Sequence, residues 1–342
     1  METRRPDNRR EPELIDAARL GESEAFEALI APLRRELHIH CYRMTGSLTD
    51  ADDMLQETLL KAWRRIDGFE PRAPFRAWLY KIATNTCLNE LAARKRPRFL
   101  APEQWSGGPP VLAEIAHLQP YPDRLLDKVG DPEAHVVRKQ DIALAFIAAI
   151  QLLPPRQRAA LILRDVLGWS AKDVADGLDA TVASVNSALQ RARTTLRTRF
   201  ADDRSLGDVD ELSDDVEQKL LTGFIEAWDR ADFDGLAALL QQDAVLAMPP
   251  APLWFRGRAA IIDFLSTAPA DGHPEKIRLV PVRSNRQPAT AAYIADPEDG
   301  GYQFYGLMVF SMEGDAISAI TGFPDSDISN YFDLPSWLSA DD

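Results

Sequence analysis

Apolar residues recur at helical spacing along the first 200 residues of the chain. Phe26, Leu29 and Leu33 fall at i, i+3 and i+7, so they form one apolar helix face. Similar patterns begin at Leu48 and at Phe75, and they predict two further long helices. The first two thirds of the chain are therefore predicted to be all-α.

This helical pattern is interrupted twice. Residues 97–132 contain seven of the 24 prolines, and residues 201–215 are acidic and polar. Segments of this composition do not hold a regular helix, so both are predicted to be linkers. The predicted segments are a disordered lead over 1–20, helical domains over 21–97 and 135–202, linkers over 98–134 and 203–213, and a third domain over 214–335.

The third domain shows a different pattern. Two helices are predicted over 216–230 and 233–242. Runs of β-branched and aromatic residues then predict strands over 277–281, 289–294, 302–312 and 316–320. The sequence Glu313-Gly314-Asp315 predicts the turn of a hairpin between the last two strands. This domain is therefore predicted to be α+β.

Charge is divided unequally between the two parts of the chain. Residues 1–200 carry 30 Lys and Arg against 27 Asp and Glu, a net charge of +3. Residues 201–342 carry 9 against 26, a net charge of −17, and the two values add to the −14 of the whole chain. This asymmetry indicates domains with different partners, and the acidic domain is not expected to bind DNA itself.

Several classes of protein are disfavoured by the sequence. The N-terminal residues METRRPDNRREPE are charged, and the longest apolar run, near residues 143–153, is too short to span a bilayer. Cys41 and Cys87 form neither a disulfide framework nor a metal cluster, so two buried thiols are expected. We predict a cytoplasmic protein without membrane insertion, metal or cofactor.

Residues 170–199 predict two short helices joined by a tight turn. Ser170 is placed to cap the first helix and Thr181 to cap the second. Val185, Leu189 and Ala192 form the apolar face of the second helix. This arrangement predicts a helix-turn-helix, whose second helix lies in the major groove of DNA. The alternative is an amphipathic hairpin whose basic face is only solvated.

The outward face of the second helix supplies the candidate contacts to duplex DNA. Small polar residues come first, which suits base edges, and arginines follow, which suits phosphates. The candidates are Thr181, Ser184, Asn186, Ser187, Gln190, Arg191, Arg193 and Arg197. Of these, Arg191, Arg193 and Arg197 are expected to bind phosphates and to fix the register.

Aromatic and basic residues alternate over residues 69–98. Rings stack on unpaired bases while cations bind the phosphate backbone, so this composition indicates single-stranded DNA binding. Asn85 and Asn89 lie one helical turn apart and can hydrogen-bond base edges. The alternative is that these rings are core, and for Trp63 and Trp78 packing is favoured. The candidate contacts are Arg76, Trp78, Lys81, Asn85, Asn89, Arg94, Lys95 and Arg96.

These features together resemble a bacterial sigma factor of the extracytoplasmic-function (ECF) group. DADDMLQETLLKAW resembles the family's region that binds RNA polymerase. FRAWLYKIATNTCLNELAARKR resembles its −10 region, and LPPRQRAALILRDVLGWSAKDVADGLDATVASVNSALQRAR resembles its −35-reading domain. The chain departs from the family at Asn186 and Ala188, where the recognition helix often carries basic residues.

The resemblance implies promoter recognition by core RNA polymerase. It places polymerase binding on the acidic face formed by Asp52, Asp53, Gln56 and Glu57. It also implies that the single-strand face captures the −10 element and that the helix-turn-helix reads the −35 element. One −10 base is expected to flip into a pocket near the loop 68–74.

The last third resembles the SnoaL-like domain, of NTF2-like fold, that ends one subgroup of these sigma factors. FIEAWDRADFDGLAALLQQDAVLAMPPAPLWFRGRAAIIDFL carries this resemblance. The fold implies a cone of curved sheet with a pocket for a small-molecule or protein regulator. The candidate lining residues are Trp228, Met248, Trp254, Tyr293 and Tyr305. The subgroup's linker motif is matched by Gln119, Pro120, Tyr121, Pro122 and Asp123.

The SnoaL-like domain could instead be an enzyme. Catalysis needs a positioned acid or base, and the candidates are Asp243, His273 and Asp325. None of them has an orienting partner at useful spacing, so a regulatory role and no catalytic residue are predicted. An enzyme with a helical appendage would leave the first 200 residues unexplained.

Taken together, the sequence predicts a multidomain sigma factor that directs core RNA polymerase to promoters. Its fold class is two all-α sigma domains, the region 2 helical bundle and the region 4 helix-turn-helix, followed by an α+β SnoaL-like cone that regulates activity. A free-standing repressor or activator that binds duplex DNA alone is the main alternative. The single-strand face and the polymerase-binding helix disfavour it.

Overall fold

A computed structural model describes most of the chain. The described residues are 10–71, 74–93, 115, 117–126, 138–199, 212–251, 253–296 and 300–340. The chain divides into a first unit, Met1–Arg96 with Ile150–Leu196, and a second unit, Pro97–Ala149 with Arg197–Asp342.

The described part of the first unit is helical, as the periodicity predicted. Its N-terminal helices are α1 (Arg10–Arg19), α2 (Ser23–Ile30), α3 (Arg34–Thr45), α4 (Leu48–Arg65) and α5 (Phe75–Ala93). Gly46 ends α3 with a φ of 72°, and Ser47 caps α4 by accepting a hydrogen bond from Asp50 N at 3.1 Å. The α4 residues Leu55 and Leu59 are buried one turn apart, in agreement with the helical pattern predicted from Leu48.

Helix α1 corrects one expectation. Residues 1–20 were predicted to be a disordered lead, but α1 occupies Arg10–Arg19 of that segment. Ile15 and Ala18 are buried, one turn apart. Packing of these two apolar side chains stabilises a helix that local composition did not indicate. Residues 1–9 lie outside the described residues.

In the described part of the chain, four α-helices lie between the two predicted linkers. They are α6 (Leu144–Gln151), α7 (Pro155–Leu161), α8 (Ala171–Gly177) and α9 (Val182–Arg199). Ser170 caps α8 in a capping box with Asp173, and Thr181 accepts a hydrogen bond from Ser184 N at 3.2 Å. Both predicted caps of the helix-turn-helix are therefore confirmed.

The second unit combines helices with a seven-stranded sheet. Besides residues 144–149 of α6, its described α-helices are α10 (Asp214–Asp229), α11 (Phe233–Leu239), α12 (Arg258–Thr267) and α13 (Ser329–Phe332). Its strands are β1 (Leu240–Ala247), β2 (Trp254–Arg256), β3 (Ile277–Ser284), β4 (Gln287–Ala295), β5 (Tyr302–Glu313), β6 (Ala316–Phe323) and β7 (Trp337–Leu338). The strand order is β2-β1-β6-β5-β4-β3, and β7 pairs with β5. The four predicted strands correspond to β3 through β6.

Strand β1 corrects the second predicted helix of this domain. The helix predicted over 233–242 ends at Leu239, and Leu240 begins a strand that runs parallel to β6. Gln241 and Gln242 read as helix formers, but pairing with a distant strand overrides that local preference. The core beneath the sheet includes Phe224, Trp228 and Phe310. Over the described ranges, no helix is long and apolar enough to cross a membrane.

Candidate functional site

The predicted polymerase-binding face lies on one side of α4. Asp53 and Gln56 are exposed, whereas Asp52 and Glu57 are partly buried. Asp52 Oδ1 lies 3.0 Å from His38 Nε2, and Glu57 pairs with Lys61 at 3.1 Å. The face is therefore acidic and accessible at its centre.

Leu60 extends this face and was not predicted. Its position, i+7 from Asp53 and i+4 from Gln56, places it on the same stripe of α4. It is 50% exposed, so its apolar side chain is accessible beside Asp53 and Gln56. The apolar periodicity of α4 masked it, because Leu60 reads as one more core position.

The predicted −10 face lies on α5. Asn89 is exposed and Asn85 is partly buried on the same side of the helix. Trp78 is partly buried, with its ring centroid 5.2 Å from Phe69 and 5.5 Å from Phe75. This aromatic cluster supports the packing interpretation of Trp78. Arg94, Lys95 and Arg96 lie outside the described residues.

Arg76 is held by a carboxylate beside the −10 face. Its guanidinium donates to both oxygens of Glu36 at 2.7 and 2.8 Å, and it lies 4.9 Å from the centroid of the Tyr80 ring. The hydrogen bonds that Arg76 donates to Glu36 raise the pKa of Arg76, and burial raises the pKa of Tyr80. Arg76 therefore serves the fold of region 2 in this state.

His40 lies beneath the same helix. Its Nε2 is 2.9 Å from Thr84 Oγ1, and its ring meets Tyr80 edge-on at 5.1 Å. Burial, followed by the charges of Arg43 and Arg76, lowers the pKa of His40 to about 3. The ring is therefore neutral in the folded protein at physiological pH.

The side chain of Lys81 is bound by the helix-turn-helix. Its Nζ donates to Asp179 Oδ1 at 2.6 Å and to the carbonyl oxygen of Asp176 at 3.0 Å. The rings of Tyr80 and Trp169 meet edge-on next to this contact, at 5.6 Å. Lys81, one of the predicted −10 contacts, is therefore already bound by residues at the end of α8 and in the turn before α9.

A buried arginine makes a second connection inside the first unit. Arg158 of α7 is only 4% exposed and donates to Met44 O and to Gln151 O, the latter at 2.7 Å. Gln151 in turn donates to Arg43 O at 3.0 Å. These bonds satisfy carbonyls at the C-terminal end of α3, so they join the two helical groups of the unit.

The exposed side of α9 carries the predicted −35 contacts. Val185, Leu189 and Ala192 are buried, as the spacing predicted. The exposed candidates are Thr181, Ser184, Asn186, Ser187, Gln190, Arg191, Arg193 and Arg197. These eight side chains therefore line an accessible surface on the recognition helix.

Arg193 differs from the other arginines of this surface. It donates to both oxygens of Asp165 at 3.0 and 2.6 Å, and this hydrogen bonding raises its pKa. Across the described ranges, Arg191 and Arg197 form no ion pair. The charge of Arg193 is thus partly neutralised, which sequence spacing could not indicate.

The linker motif is bound by the hairpin between β3 and β4. Asn285 pairs with Tyr121 through two bonds, one from Tyr121 N to Asn285 Oδ1 at 2.7 Å and one from Asn285 N to Tyr121 O at 2.8 Å. Ser284 Oγ also donates to Tyr121 O at 3.2 Å, and Pro122 bridges to Ser284. The ring of Tyr121 is fully buried.

Asp123 completes this contact. Its carboxylate accepts from Arg286 N at 2.8 Å and from Arg283 Nε at 3.4 Å. Burial raises the pKa of the Asp123 carboxyl, and these donors partly offset the shift. Asn285 and Arg286 have φ values of 57° and 59°, the geometry of a type I′ turn. Bonds to the linker thus hold a backbone conformation that arginine rarely adopts.

The same hairpin binds the first turn of α6. Asn285 Nδ2 donates to Ile142 O at 2.8 Å, and Gln287 Oε1 accepts from Leu144 N at 2.7 Å. One asparagine side chain therefore joins Tyr121 to Ile142. We call Ser284, Asn285, Arg286 and Gln287 the clasp. The sequence signal was weak, because Asn285 is followed by arginine and not by the usual glycine.

A cavity of about 430 Å³ opens within the cone. Three of the five predicted lining residues, Trp228, Met248 and Tyr305, contribute to it. Trp254 and Tyr293 do not, so their assignment was wrong. Residues alternate between the faces of a strand, and Ala292 faces the cavity, so Tyr293 points away and donates to Pro335 O at 3.0 Å.

Trp254 follows the same rule on β2. Leu253 lines the cavity, so the next side chain is directed elsewhere and is buried. The candidate catalytic residues Asp243, His273 and Asp325 are absent from the lining. His273 is exposed and lies 2.9 Å from Glu275 Oε1, and Asp325 caps a turn by accepting from Asp327 N at 3.0 Å.

Comparison with known families matches three consecutive parts of the chain. Sigma-70 region 2 matches residues 29–97, Sigma-70 region 4 matches residues 143–196, and the SnoaL-like domain matches residues 221–320. These parts contain the α4 and α5 faces, the helix-turn-helix and the cone, in that order.

Similar proteins agree with this assignment. The ECF RNA polymerase sigma factor SigG of Mycobacterium tuberculosis is 39% identical over 343 residues, covering 95% of this chain and 90% of SigG. The RNA polymerase sigma-H factor of Pseudomonas aeruginosa is 31% identical over 187 residues, covering 54% of this chain and 90% of that protein.

A solved structure shows the same fold. The crystal structure of the Mycobacterium tuberculosis ECF sigma factor SigJ superposes with a TM-score of 0.60 at 22% identity, covering 92% of this chain and 100% of SigJ. The similarity to SigG spans nearly the whole chain at an identity that fixes the family. The chain therefore belongs to the ECF RNA polymerase sigma factors and carries a C-terminal SnoaL-like domain.

Proposed function

We propose that this sigma factor recruits core RNA polymerase through α4 and recognises promoters through α5 and α9. Asp53, Gln56 and Leu60 form the polymerase contact, Asn85 and Asn89 read −10 bases, and α9 reads the −35 element. The observation that carries the proposal is the burial pattern of α9. Its apolar side is packed while all eight predicted contacts are exposed, as a helix inserted in the major groove requires.

Run-off transcription with purified core polymerase and a promoter library tests this proposal. Core alone should start at no specific site, and addition of the full chain should produce a defined set of transcripts. Leu60→Glu should lower core binding at least tenfold, whereas Leu20→Glu, at a residue 84% exposed on another surface, should not. If the chain binds duplex DNA but directs no transcription with core, it is a repressor or activator instead.

We further propose that the described state is closed and must open on promoter DNA. Positions −10 and −35 are about 25 base pairs apart, or roughly 80 Å along B-DNA. Lys81 of the −10 face nevertheless lies 2.6 Å from Asp179 in the turn of the helix-turn-helix. Both elements cannot be bound in this arrangement, so the Lys81 and Arg158 contacts must break.

The clasp gives the cone a regulatory role in that opening. Residues 94–120 span at most about 90 Å when fully extended, so a linker held at Tyr121 bridges the two elements only when nearly straight. Release of the clasp, together with the contacts of Arg124 with Tyr331 O and of Lys139 with Glu217, would add residues 122–142 to the free length. The clasp therefore restrains opening, and its loss should favour transcription.

Asn285→Ala tests this role, with Asn330→Ala as the matched control because Asn330 is exposed and lies outside the clasp. We expect Asn285→Ala to raise the run-off yield at least twofold and the control to leave it unchanged. An unchanged or reduced yield for Asn285→Ala would contradict a restraining clasp while leaving promoter recognition intact.

We propose that the cone binds and does not catalyse. General acid–base chemistry needs a carboxylate, imidazole or similar group at the reacting atoms. Within the described residues, the cavity lining contains no Asp, Glu, His, Lys or Arg side chain, so the phenol of Tyr305 has no acid or base beside it in the lining. A binding module also fits a domain whose hairpin holds another segment of the same chain.

A further inference from the structure

The cavity in the cone is large enough for a small molecule. Its volume of about 430 Å³ lies within the roughly 300–1,000 Å³ typical of ligand pockets. It greatly exceeds an engineered core cavity of about 150 Å³ that stays dry and binds benzene. Native cores seldom leave such space unfilled, because lost contacts destabilise the fold. The size of the cavity is therefore that of a ligand-binding site.

Apart from the Tyr305 hydroxyl and the Trp228 indole N–H, the side chains that line this cavity are apolar. Leu246, Met248, Ile294 and Ile320 are among the side chains around it. The indole N–H of Trp228 is not available to an occupant, because it donates to Ile277 O at 3.0 Å. The wall therefore favours hydrocarbon over polar surface.

Tyr305 supplies the polar exception. It lines the cavity and is 44% exposed, so its hydroxyl is accessible to solvent. A hydroxyl can donate one hydrogen bond and accept others, which suits an alcohol, carbonyl or ester on a ligand. It offers no compensating charge to an anion or a cation.

A charged ligand would be disfavoured in this site. An ion that enters apolar surroundings loses its hydration and is destabilised unless an opposite charge pairs with it. Among the described lining residues there is no acidic or basic side chain to do so. The chemistry of the wall thus selects for neutral molecules.

We propose that the cone binds a neutral, mainly apolar small molecule whose single polar group contacts Tyr305. This goes beyond the proposed promoter function and does not depend on it. Strand β4 carries Ala292 and Ile294 in the cavity wall and Gln287 in the clasp, so the ligand acts on the strand that also binds the start of α6.

Fluorescence titration of the full chain with N-phenyl-1-naphthylamine, a neutral apolar probe, tests the site. We expect saturable binding at one site per chain. Decanol should displace the probe at a concentration at least tenfold below that of decanoate, which has the same chain length but carries a charge. No saturable binding, or displacement by decanoate as effective as by decanol, would overturn the proposal.

Two variants locate the site. Ala268→Trp places a bulky ring at an exposed lining position just after α12 and should weaken probe binding at least tenfold. Ala260→Trp, at an exposed position on α12 outside the lining, should not. Tyr305→Phe should weaken decanol at least threefold, and Tyr302→Phe should have no effect. Unchanged binding in Ala268→Trp would place the probe elsewhere and contradict the proposal.

Regulation is a separate measurement that rests on the proposed function. Run-off transcription by the wild-type chain is compared with and without saturating decanol. A change in yield that Ala268→Trp abolishes supports coupling of the cavity to the clasp. An unchanged yield with intact probe binding would reject coupling and leave the site and promoter recognition standing.

Discussion

The predicted −10 face on α5 and the predicted −35 face on α9 both carry basic and amide side chains, but the protein holds them differently. On α5, Arg76 is bound by Glu36 and Lys81 by Asp179. On α9, Arg193 is bound by Asp165, whereas Arg191 and Arg197 are exposed. Both described cations of the predicted single-strand face are thus held by carboxylates, whereas the predicted duplex face keeps two exposed arginines. Under the proposed function, this difference makes −10 capture the step under control.

His40, which lies beneath α5, should make the first unit lose folding stability at acidic pH. Its pKa is lowered to about 3 in the fold, whereas the unfolded chain protonates near 6.5. The unfolded state binds more protons between these values, so stability falls as pH drops through this window. At pH 5 the loss is about 2 kcal/mol, or about 30-fold in the folding constant.

Urea unfolding at pH 7 and pH 5 measures this loss. His40→Gln should be less stable at pH 7 but should lose about 2 kcal/mol less than the wild type on acidification. An equal pH dependence in the two proteins would show that His40 is not the responsible group.

Asn89 and Asn186 should separate the two faces by sequence preference. A lost base contact costs about 1–3 kcal/mol, so each substitution should relax discrimination roughly tenfold at its own element. Asn89→Ala should relax −10 preference only, and Asn186→Ala should relax −35 preference only. Run-off transcription on promoters randomised at one element measures both, and crossed effects would break the assignment of faces.

Asp179→Asn should release Lys81 from its ion pair. The cations of the predicted −10 face would then be closer in accessibility to those of the predicted −35 face. Exposed ion pairs contribute about 0.2–1 kcal/mol, so binding to a single-stranded −10 oligonucleotide should improve by up to about fivefold. Asparagine tolerates the φ of 48° at this position. Asp176→Asn is the matched control, because Asp176 contacts Lys81 through its carbonyl oxygen. Equal gains in both variants would contradict a specific block by Asp179.

The smallest expected effect distinguishes two arginines of α9. Arg191→Ala should reduce the salt slope of duplex binding by about 0.9, or about threefold in affinity between 50 and 200 mM salt. Arg193→Ala should change the slope less, because Asp165 already pairs with Arg193. Salt titrations on several sequences measure the slopes, and a larger change for Arg193→Ala would reverse the assignment.

Features set by neighbouring residues could be predicted from the sequence. The caps at Ser170 and Thr181 and the apolar spacing of α9 depend on contacts within one or two helical turns. The strands β3 to β6 follow from composition and turn residues. The apolar nature of the cone cavity was also expected, although only Trp228, Met248 and Tyr305 of the proposed lining belong to it.

Features that join distant residues could not be predicted. The Lys81–Asp179 contact spans 98 positions, and the Tyr121–Asn285 contact spans 164. Strand register decides which side chains line the cavity, and local composition does not reveal it, so Tyr293 was assigned to the wrong face. Helix α1 was also missed, because it is stabilised by tertiary packing of Ile15 and Ala18 and not by its local sequence.

Fluorescence energy transfer between α5 and α8 tests the central claim, that region 2 and the helix-turn-helix are closed in the free chain and open on a promoter. Dyes at Ala92→Cys and Lys172→Cys occupy exposed positions, and α5 is only about 28 Å long, so both lie within transfer range while Lys81 contacts Asp176 and Asp179. We predict high transfer in the free chain and its loss on addition of core polymerase and promoter DNA. High transfer that persists while run-off transcription proceeds would contradict the account.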